Sequence, residues 1–355
     1  MSASNNPAPL LRLSVLDQSP VPEGFTASDA LANSLELAQH VDKLGFTRLW
    51  YSEHHAMDLL ACTAPEILVG RAAAATERIR VGSGGIMLPH YSPLKVAEVF
   101  RTLHAMFPGR VDLGIGRAPG GGQLEAHALR RVRQGPAPDD FPQQLAELRA
   151  FLHPERFPRD HPFANIRVMP SAEGAPAVWL LGSSMWSSMT AAVEGLPYAY
   201  AHFFSSSQTR HAIEHYRSRF TPGPDGDAPK ASIAIGTIVA STQEEADWHY
   251  SSTRLLMRRI RMNDRRPVAT PEHAIRELAQ VPSSPDTLVP FLSGPLDEPD
   301  GEFPRYVVGT PEKVRDQLLR IARELELDEL IVNTVIHSHE ARLKSYSLLA
   351  EAFGL

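Results

Sequence analysis

The chain has 355 residues, 43% hydrophobic and 21% charged, with a formal net charge of -6. That suits a globular protein with a large core, and nothing in the charge balance recommends a nucleic-acid partner. The apolar runs are too short to span a bilayer, and the single cysteine, Cys62, excludes an internal disulfide and fits a reducing cytoplasm.

Residues 1–10 lack the basic start and apolar middle of a signal peptide and read as a loose tail. Leu11–Leu16 is a first strand. Thr26 and Asp29 open a helix that carries Leu31, Leu35, Ala38 and Val41 on one face and closes at Gly45. Leu49–Ser52 is a second strand and Ile79–Ile86 a third. Between them lies a helix opened by Thr63 and Glu66 as a capping box, so the two strands form a parallel β–α–β unit. Ser92-Pro93 starts a helix through Met106, and Val111–Gly116 is a fourth strand.

The proline- and glycine-rich segment 118–176 reads as an insertion with one or two helices, around Phe141–Leu152, because its apolar content is too thin for a core of its own. Val178–Leu181, Tyr198–Phe203 and Ile233–Ala240 are strands five to seven, the last followed by a long helix capped by Thr242 and Glu245. Segment 264–305, with its proline-dense stretch Pro282–Pro304, reads as a second insertion over the mouth. Thr310-Pro311-Glu312 starts another helix, Leu330–Ile336 is the eighth strand and Ala341–Phe353 the last helix. Eight strands alternating with helices predict a single-domain (β/α)₈ TIM barrel with insertions after strands four and seven.

In such a fold, ligands gather at the carboxyl ends of the strands. Strand two ends in Glu53-His54-His55, where an imidazole can exchange a proton near neutral pH or simply hold a loop. A zinc site is the sharper rival, but adjacent strand residues point to opposite faces, so His54 and His55 cannot share an ion unless the strand has ended. Strand three carries Ser83-Gly84-Gly85, where missing side chains permit close backbone approach to a flat ring, or only a bulge. Strand four ends in Gly116-Arg117, and Gly182-Ser183-Ser184 leads from strand five into a helix. Free N–H groups there suit a phosphate, and Arg117 adds charge-assisted bonds; a serine in that position is otherwise a helix cap. The basic cluster Arg254, Arg258, Arg259, Arg261, Arg265 and Arg266 reads as a solvated face or a subunit contact.

Taken together, DQSPVPEG, RLWYSEHH, RIRVGSGGIMLPHYSPLKVAE, GRVDLGIGRAPGG, VWLLGSS and YVVGTPEKV resemble the bacterial luciferase-like flavin-dependent monooxygenases, and most of all the YhbW-type branch. The resemblance covers nearly the whole chain. It implies a barrel that uses reduced FMN, supplied by a separate NAD(P)H:flavin reductase, and O2 to oxygenate a small organic substrate. It makes His54 the active-site histidine and Gly84-Gly85 the ring-facing peptide, with Ser83 beside them. Arg117, Gly182, Ser183 and Ser184 become the phosphate site. No metal is expected, and a cytoplasmic homodimer is, through the apolar helices at Thr63–Ala75 and Ser92–Met106. The alternatives are hydride transfer with the deazaflavin F420, a flavin-binding protein without turnover, and a metal-dependent barrel hydrolase.

Overall fold

The computed structural model describes residues 11–129, 140–280 and 301–355. The tail expected at 1–10 and most of the proline-dense stretch 282–304 lie outside them. In chain order the elements are β1 (Arg12–Asp17), α1 (Ala27–Leu44), β2 (Arg48–Tyr51), α2 (Pro65–Ala75), β3 (Arg80–Met87), α3 (Pro93–Met106), β4 (Val111–Gly116), α4 (Gln123–Leu129) and α5 (Phe141–Leu152). They continue with β5 (Ala177–Gly182), α6 (Met185–Glu194), β6 (Tyr198–Tyr200), α7 (Thr209–Ser218), β7 (Ala231–Val239), α8 (Gln243–Arg261) and α9 (Pro271–Ala279), and end with β8 (Tyr306–Gly309), α10 (Pro311–Glu324), β9 (Glu329–Asn333) and α11 (His339–Phe353).

Every strand pair is parallel. The order β1-β2-β3-β4-β5-β6-β7-β9 returns to β1, which closes the expected (β/α)₈ barrel. Alternation along each strand makes two cores. Leu13, Val15, Leu49, Tyr51, Leu330 and Val332 face the helices and join one large cluster, while Leu16, Trp50, Trp179, Ala199, Ala234 and Ile331 fill the barrel interior.

Below that interior layer lies a buried ionic plug. Arg48 at the start of β2 donates from Nε to Glu329 Oε1 (2.5 Å) and from Nη1 to Asp112 Oδ2 (2.7 Å). Ser14 Oγ also donates to Glu329 Oε1 (2.5 Å), and the Trp50 indole N–H donates to Asp112 Oδ2 (3.1 Å). Burial pulls the Arg48 pKa down, but the two carboxylates outweigh it and hold the group above its usual value. The amino end of the barrel is therefore stopped with charge, and the indole of Trp50 is tied to the stopper.

Four features differ from the sequence expectations. β8, the short segment Tyr306–Gly309, is a ninth strand that pairs with β7 beyond the stretch β7 shares with β6. It was hidden because only alternate residues are buried, in four residues next to a proline-dense run. The capping box at Thr63 and Glu66 does not form: α2 starts at Pro65 with Ala64 at the cap and no side-chain bond. The helix expected at Phe141–Leu152 is present as α5, but its buried face packs on α3 as a regular ring helix rather than as part of an insertion. Finally, of the helix Thr63–Ala75 expected at a subunit contact, Ala72 and Ala73 are buried in the main core while Ile67 and Ala74 are exposed. Among the described residues, no helix is long and apolar enough to cross a membrane.

At the carboxyl end, α8 roofs one side of the mouth. Leu256 and Met257 of α8 pack with Met57, Leu59 and Leu60 of the loop after β2, and with Val268 and Val335. The Thr253 hydroxyl donates to the Val335 carbonyl (2.6 Å).

Candidate active site

β2 delivers four polar residues to the mouth, and they divide into two groups. His54 Nδ1 lies 3.2 Å from Ser52 Oγ, and its backbone N–H donates to the Cys62 carbonyl (3.0 Å). Burial, with the neighbouring His55 second, pushes the His54 pKa down to about 4, so the imidazole is neutral at neutral pH. His55 has other partners. Its Nε2 lies 2.7 Å from Oε1 of Glu53, a fully buried carboxylate that also accepts from the Tyr91 hydroxyl (2.8 Å) and the Met87 N–H (2.9 Å). The His55 N–H donates to the Gly120 carbonyl (2.8 Å), and the His90 ring meets the His55 ring edge-on at 5.8 Å. Glu53 and His55 thus bind together the loops that follow β2, β3 and β4. The two adjacent histidines do not share a ligand position, and among the described residues no group of three or more His, Cys, Asp or Glu is arranged to hold a metal ion.

On β3 the Gly84–Gly85 peptide is cis, and the pairing with β4 slips between Ser83 and Ile86. A Cβ on Gly84 would sit 2.8 Å from Leu16 Cδ1 and 2.9 Å from Trp50 Cβ; one on Gly85 would sit 2.6 Å from Leu181 Cδ1 and 2.8 Å from the Gly114 oxygen. Both glycines therefore present bare backbone, against interior residues that leave no room for a side chain. Ser83 is fully buried and its hydroxyl donates to the Gly114 carbonyl (2.8 Å). It stitches the bulge to β4.

The other half of the mouth lies where β4 and β5 end. Arg117 follows β4, and its guanidinium carbon lies 4.5 Å from the centre of the Trp186 ring, in the first turn of α6. The two strand ends that the sequence separates by a long segment are thus brought to one place. Gly182 lets α6 come this close, since a Cβ there would lie 2.5 Å from Ser187 Oγ. Ser183 carries the carbonyl that accepts the Tyr200 hydroxyl (3.2 Å). Ser184 stands at the cap position of α6, but its side chain makes no capping bond. The start of α6 keeps N–H groups that no side-chain cap occupies.

Sequence reading missed Trp186, Ser52 and the bridging role of Glu53. Trp186 lies two residues past Ser184, so its place in a first helical turn was visible; its stacking was not. His202, by contrast, is fully buried, with Nδ1 2.7 Å from Thr209 Oγ1 and Nε2 3.0 Å from the Pro304 carbonyl, and burial holds its pKa at about 4. It holds loops. The basic cluster is largely absorbed in ion pairs: Arg259 with Glu277 (2.6 Å), Arg266 with Asp264 (2.6 Å) and Arg265 with Glu125 (3.0 Å).

Residues 11–329 match the luciferase-like monooxygenase family. The chain belongs to that family. Among luciferase-like relatives, the Bacillus subtilis protein YwcH is 40% identical over 345 residues, covering 97% of this chain and 100% of that protein. The N-acetyl-S-alkylcysteine monooxygenase of Bacillus subtilis is 35% identical over 344 residues, covering 97% and 98%. The crystal structure of apo-MsnO8 superposes with a TM-score of 0.87 at 46% identity, covering 97% of this chain and 99% of that one. The luciferase-like barrel is also shared, as a fold alone, with two cofactor complexes. One is the oxygenating constituent of 3,6-diketocamphane monooxygenase from Pseudomonas putida, bound to FMN (TM-score 0.69, 18% identity, covering 96% and 97%). The other is an F420-dependent secondary alcohol dehydrogenase (TM-score 0.64, 16% identity, covering 97% and 99%).

Proposed function

We propose that the protein is an FMN-dependent monooxygenase of the YhbW-type branch that takes reduced FMN from a separate NAD(P)H:flavin reductase and oxygenates a small organic substrate with O2. One observation carries the reading. The bare backbone of Gly84-Gly85 and the start of α6, with Arg117 over it, share one mouth. The first suits a flat ring that must lie against main chain, the second a phosphate, and FMN has both parts.

Bound there, FMN would supply the activation of O2, which no side chain of this family-typical mouth can perform alone. The chain's own residues do the rest. Arg117, Ser183, Ser184 and the N–H groups of α6 hold the phosphate. Gly84-Gly85 would offer its backbone to the ring, and Trp50, kept in place by Asp112 and by the Trp179 edge contact at 5.2 Å, backs that peptide from inside the barrel. His54, neutral and steadied by Ser52, offers Nε2 to a proton at the junction of ring and substrate. The roof of Leu59, Leu60, Leu256 and Val268 excludes water from that junction. The thioether oxidised by the 35% identical relative, an N-acetyl-S-alkylcysteine, is the first substrate class to try.

The test is anaerobic titration with reduced FMN, followed by O2 and a thioether, with product mass read by spectrometry. Gain of one oxygen atom by the substrate supports the reading. Turnover with reduced F420 and no oxygen gain would favour hydride transfer instead, and bound flavin that reacts with O2 no differently from free reduced FMN would make this a flavin carrier.

A further inference from the structure

We infer that Asn333 is a specificity-determining residue, whose unpaired side-chain oxygen takes the amide N–H of the organic substrate. The inference rests on the monooxygenase reading above and names a substrate class for it: a thioether that also carries a secondary amide. Asn333 is the last residue of β9 and is 1% exposed. Leu330 and Val332 face the helices and Ile331 the interior, so alternation turns Asn333 inward, at the carboxyl end of the barrel.

The ladder between β1 and β9 stops at Val15 and Val332, and the Asn333 side chain continues it. Its Nδ2 donates to the Leu16 carbonyl (3.0 Å) and to Gln18 Oε1 (3.3 Å). A backbone carbonyl can only accept, so the edge of the Asn333 amide that meets Leu16 is its NH2. Oδ1 is left over, buried and without a partner among the described residues. A buried acceptor left unpaired is costly, and a donor from a bound molecule removes that cost.

The surroundings are apolar. Across the ladder Asn333 lies beside Gly236, and the Tyr306 ring occupies the place that a Gly236 side chain would take. The Tyr306 hydroxyl donates to Met257 Sδ (3.5 Å), which ties that ring to the roof of the mouth. Val335, two residues beyond Asn333, belongs to the same roof with Leu59, Leu60 and Leu256. One bare acceptor beside apolar walls orients a ligand that is mostly apolar and has one donor. An ionised carboxylate has only acceptors and cannot fill that role. An N-acetyl-S-alkylcysteine, the compound in the name of the 35% identical relative, has such a donor in its amide N–H.

The experiment gives the whole protein, with reduced FMN and O2, an N-acetyl-S-alkylcysteine or its ester isostere, in which oxygen replaces the amide N–H. Wild type should prefer the amide by about 2- to 13-fold in kcat/KM, the span of one neutral hydrogen bond, through KM rather than kcat. Asn333→Leu should bring that ratio close to one with reduced-FMN affinity unchanged. Equal use of the two compounds by wild type, an arm that needs no variant, overturns the inference while the monooxygenase reading stands. An Asn333→Leu variant that keeps the preference but binds reduced FMN more weakly assigns the oxygen to the flavin and overturns it too. If neither compound gains an oxygen atom, the substrate class is overturned. Reduced FMN that does not bind at all overturns the monooxygenase reading beneath it.

Discussion

The Nδ1 atom of His54 lies 3.2 Å from the Ser52 hydroxyl, and among the described residues Nε2 has no partner. Ser52 is buried, so the contact fixes which edge of the imidazole is presented to the mouth. His54→Ala should lower turnover by about 10²–10⁴-fold, the usual contribution of an acid–base group, while reduced-FMN affinity stays at the wild-type value. Steady-state rates and flavin titration on the same preparation check this. Wild-type turnover in the variant would leave His54 as a rim residue holding a loop.

Gly85 is predicted to tolerate no side chain. The obstacle to a Cβ is the Gly114 backbone oxygen as well as the flexible tip of Leu181, and main chain cannot step aside. Gly85→Ala should destabilise the fold by about 1–3 kcal/mol, as overpacking does, and should weaken flavin binding. Urea unfolding and titration test the two halves separately. A fully stable variant that binds FMN normally would remove Gly85 from the ring face.

The buried carboxylate of Glu53 should matter to stability more than to chemistry. Glu53→Ala strands the Tyr91 hydroxyl, the Met87 N–H and the His55 ring at once. Each unsatisfied buried group costs about 1–3 kcal/mol, so the unfolding midpoint should fall steeply. His55→Ala should share the effect in milder form with modest change in turnover. A large turnover defect in His55→Ala at unchanged stability would assign the chemistry to the wrong histidine here.

A pH dependence follows from the two buried imidazoles. Burial holds both His54 and His202 at about 4 in the folded protein, against about 6.5 in an unfolded chain. Between those values the unfolded state binds more protons, so stability falls as pH drops from about 6.5 towards about 4. Thermal melts of wild type and His202→Gln across that window should diverge, with the variant losing less. Parallel curves would show that other groups dominate.

Assembly as a homodimer is expected through α2 and α3. The buried alanines of α2 are committed to the core, but Ile67 is 69% exposed on α2 and Met106 62% exposed on α3. Light scattering at micromolar concentration should report twice the chain mass, and Ile67→Glu should shift it towards the monomer. A monomeric wild type ends this expectation.

The barrel was legible because its strands are short apolar runs that stop at polar or glycine-rich ends, and because helices separate them at regular intervals. The position of Arg117 and of the Gly182–Ser184 turn was legible for the same reason: each stands at a strand end, and the pairing of β4 with β5 brings the two ends together. What escaped needed distance information. Trp186 meets Arg117 only when the end of β4 comes to the start of α6, and Glu53 gains its partners only when the chain carrying Met87 and Tyr91 closes over it. β8 escaped because it is a strand of only four residues beside a proline-dense run, made by tertiary pairing with β7.

The charged stopper of Arg48, Asp112 and Glu329 has a consequence for traffic. With one end of the barrel sealed by ions that cannot be parted cheaply, everything that enters and leaves must use the same doorway. On the function proposed above, a flavin held at Gly84-Gly85 and the start of α6 would share that doorway with its substrate. Arrival and departure would then form a queue, in which whichever partner enters second must leave before the first can be exchanged.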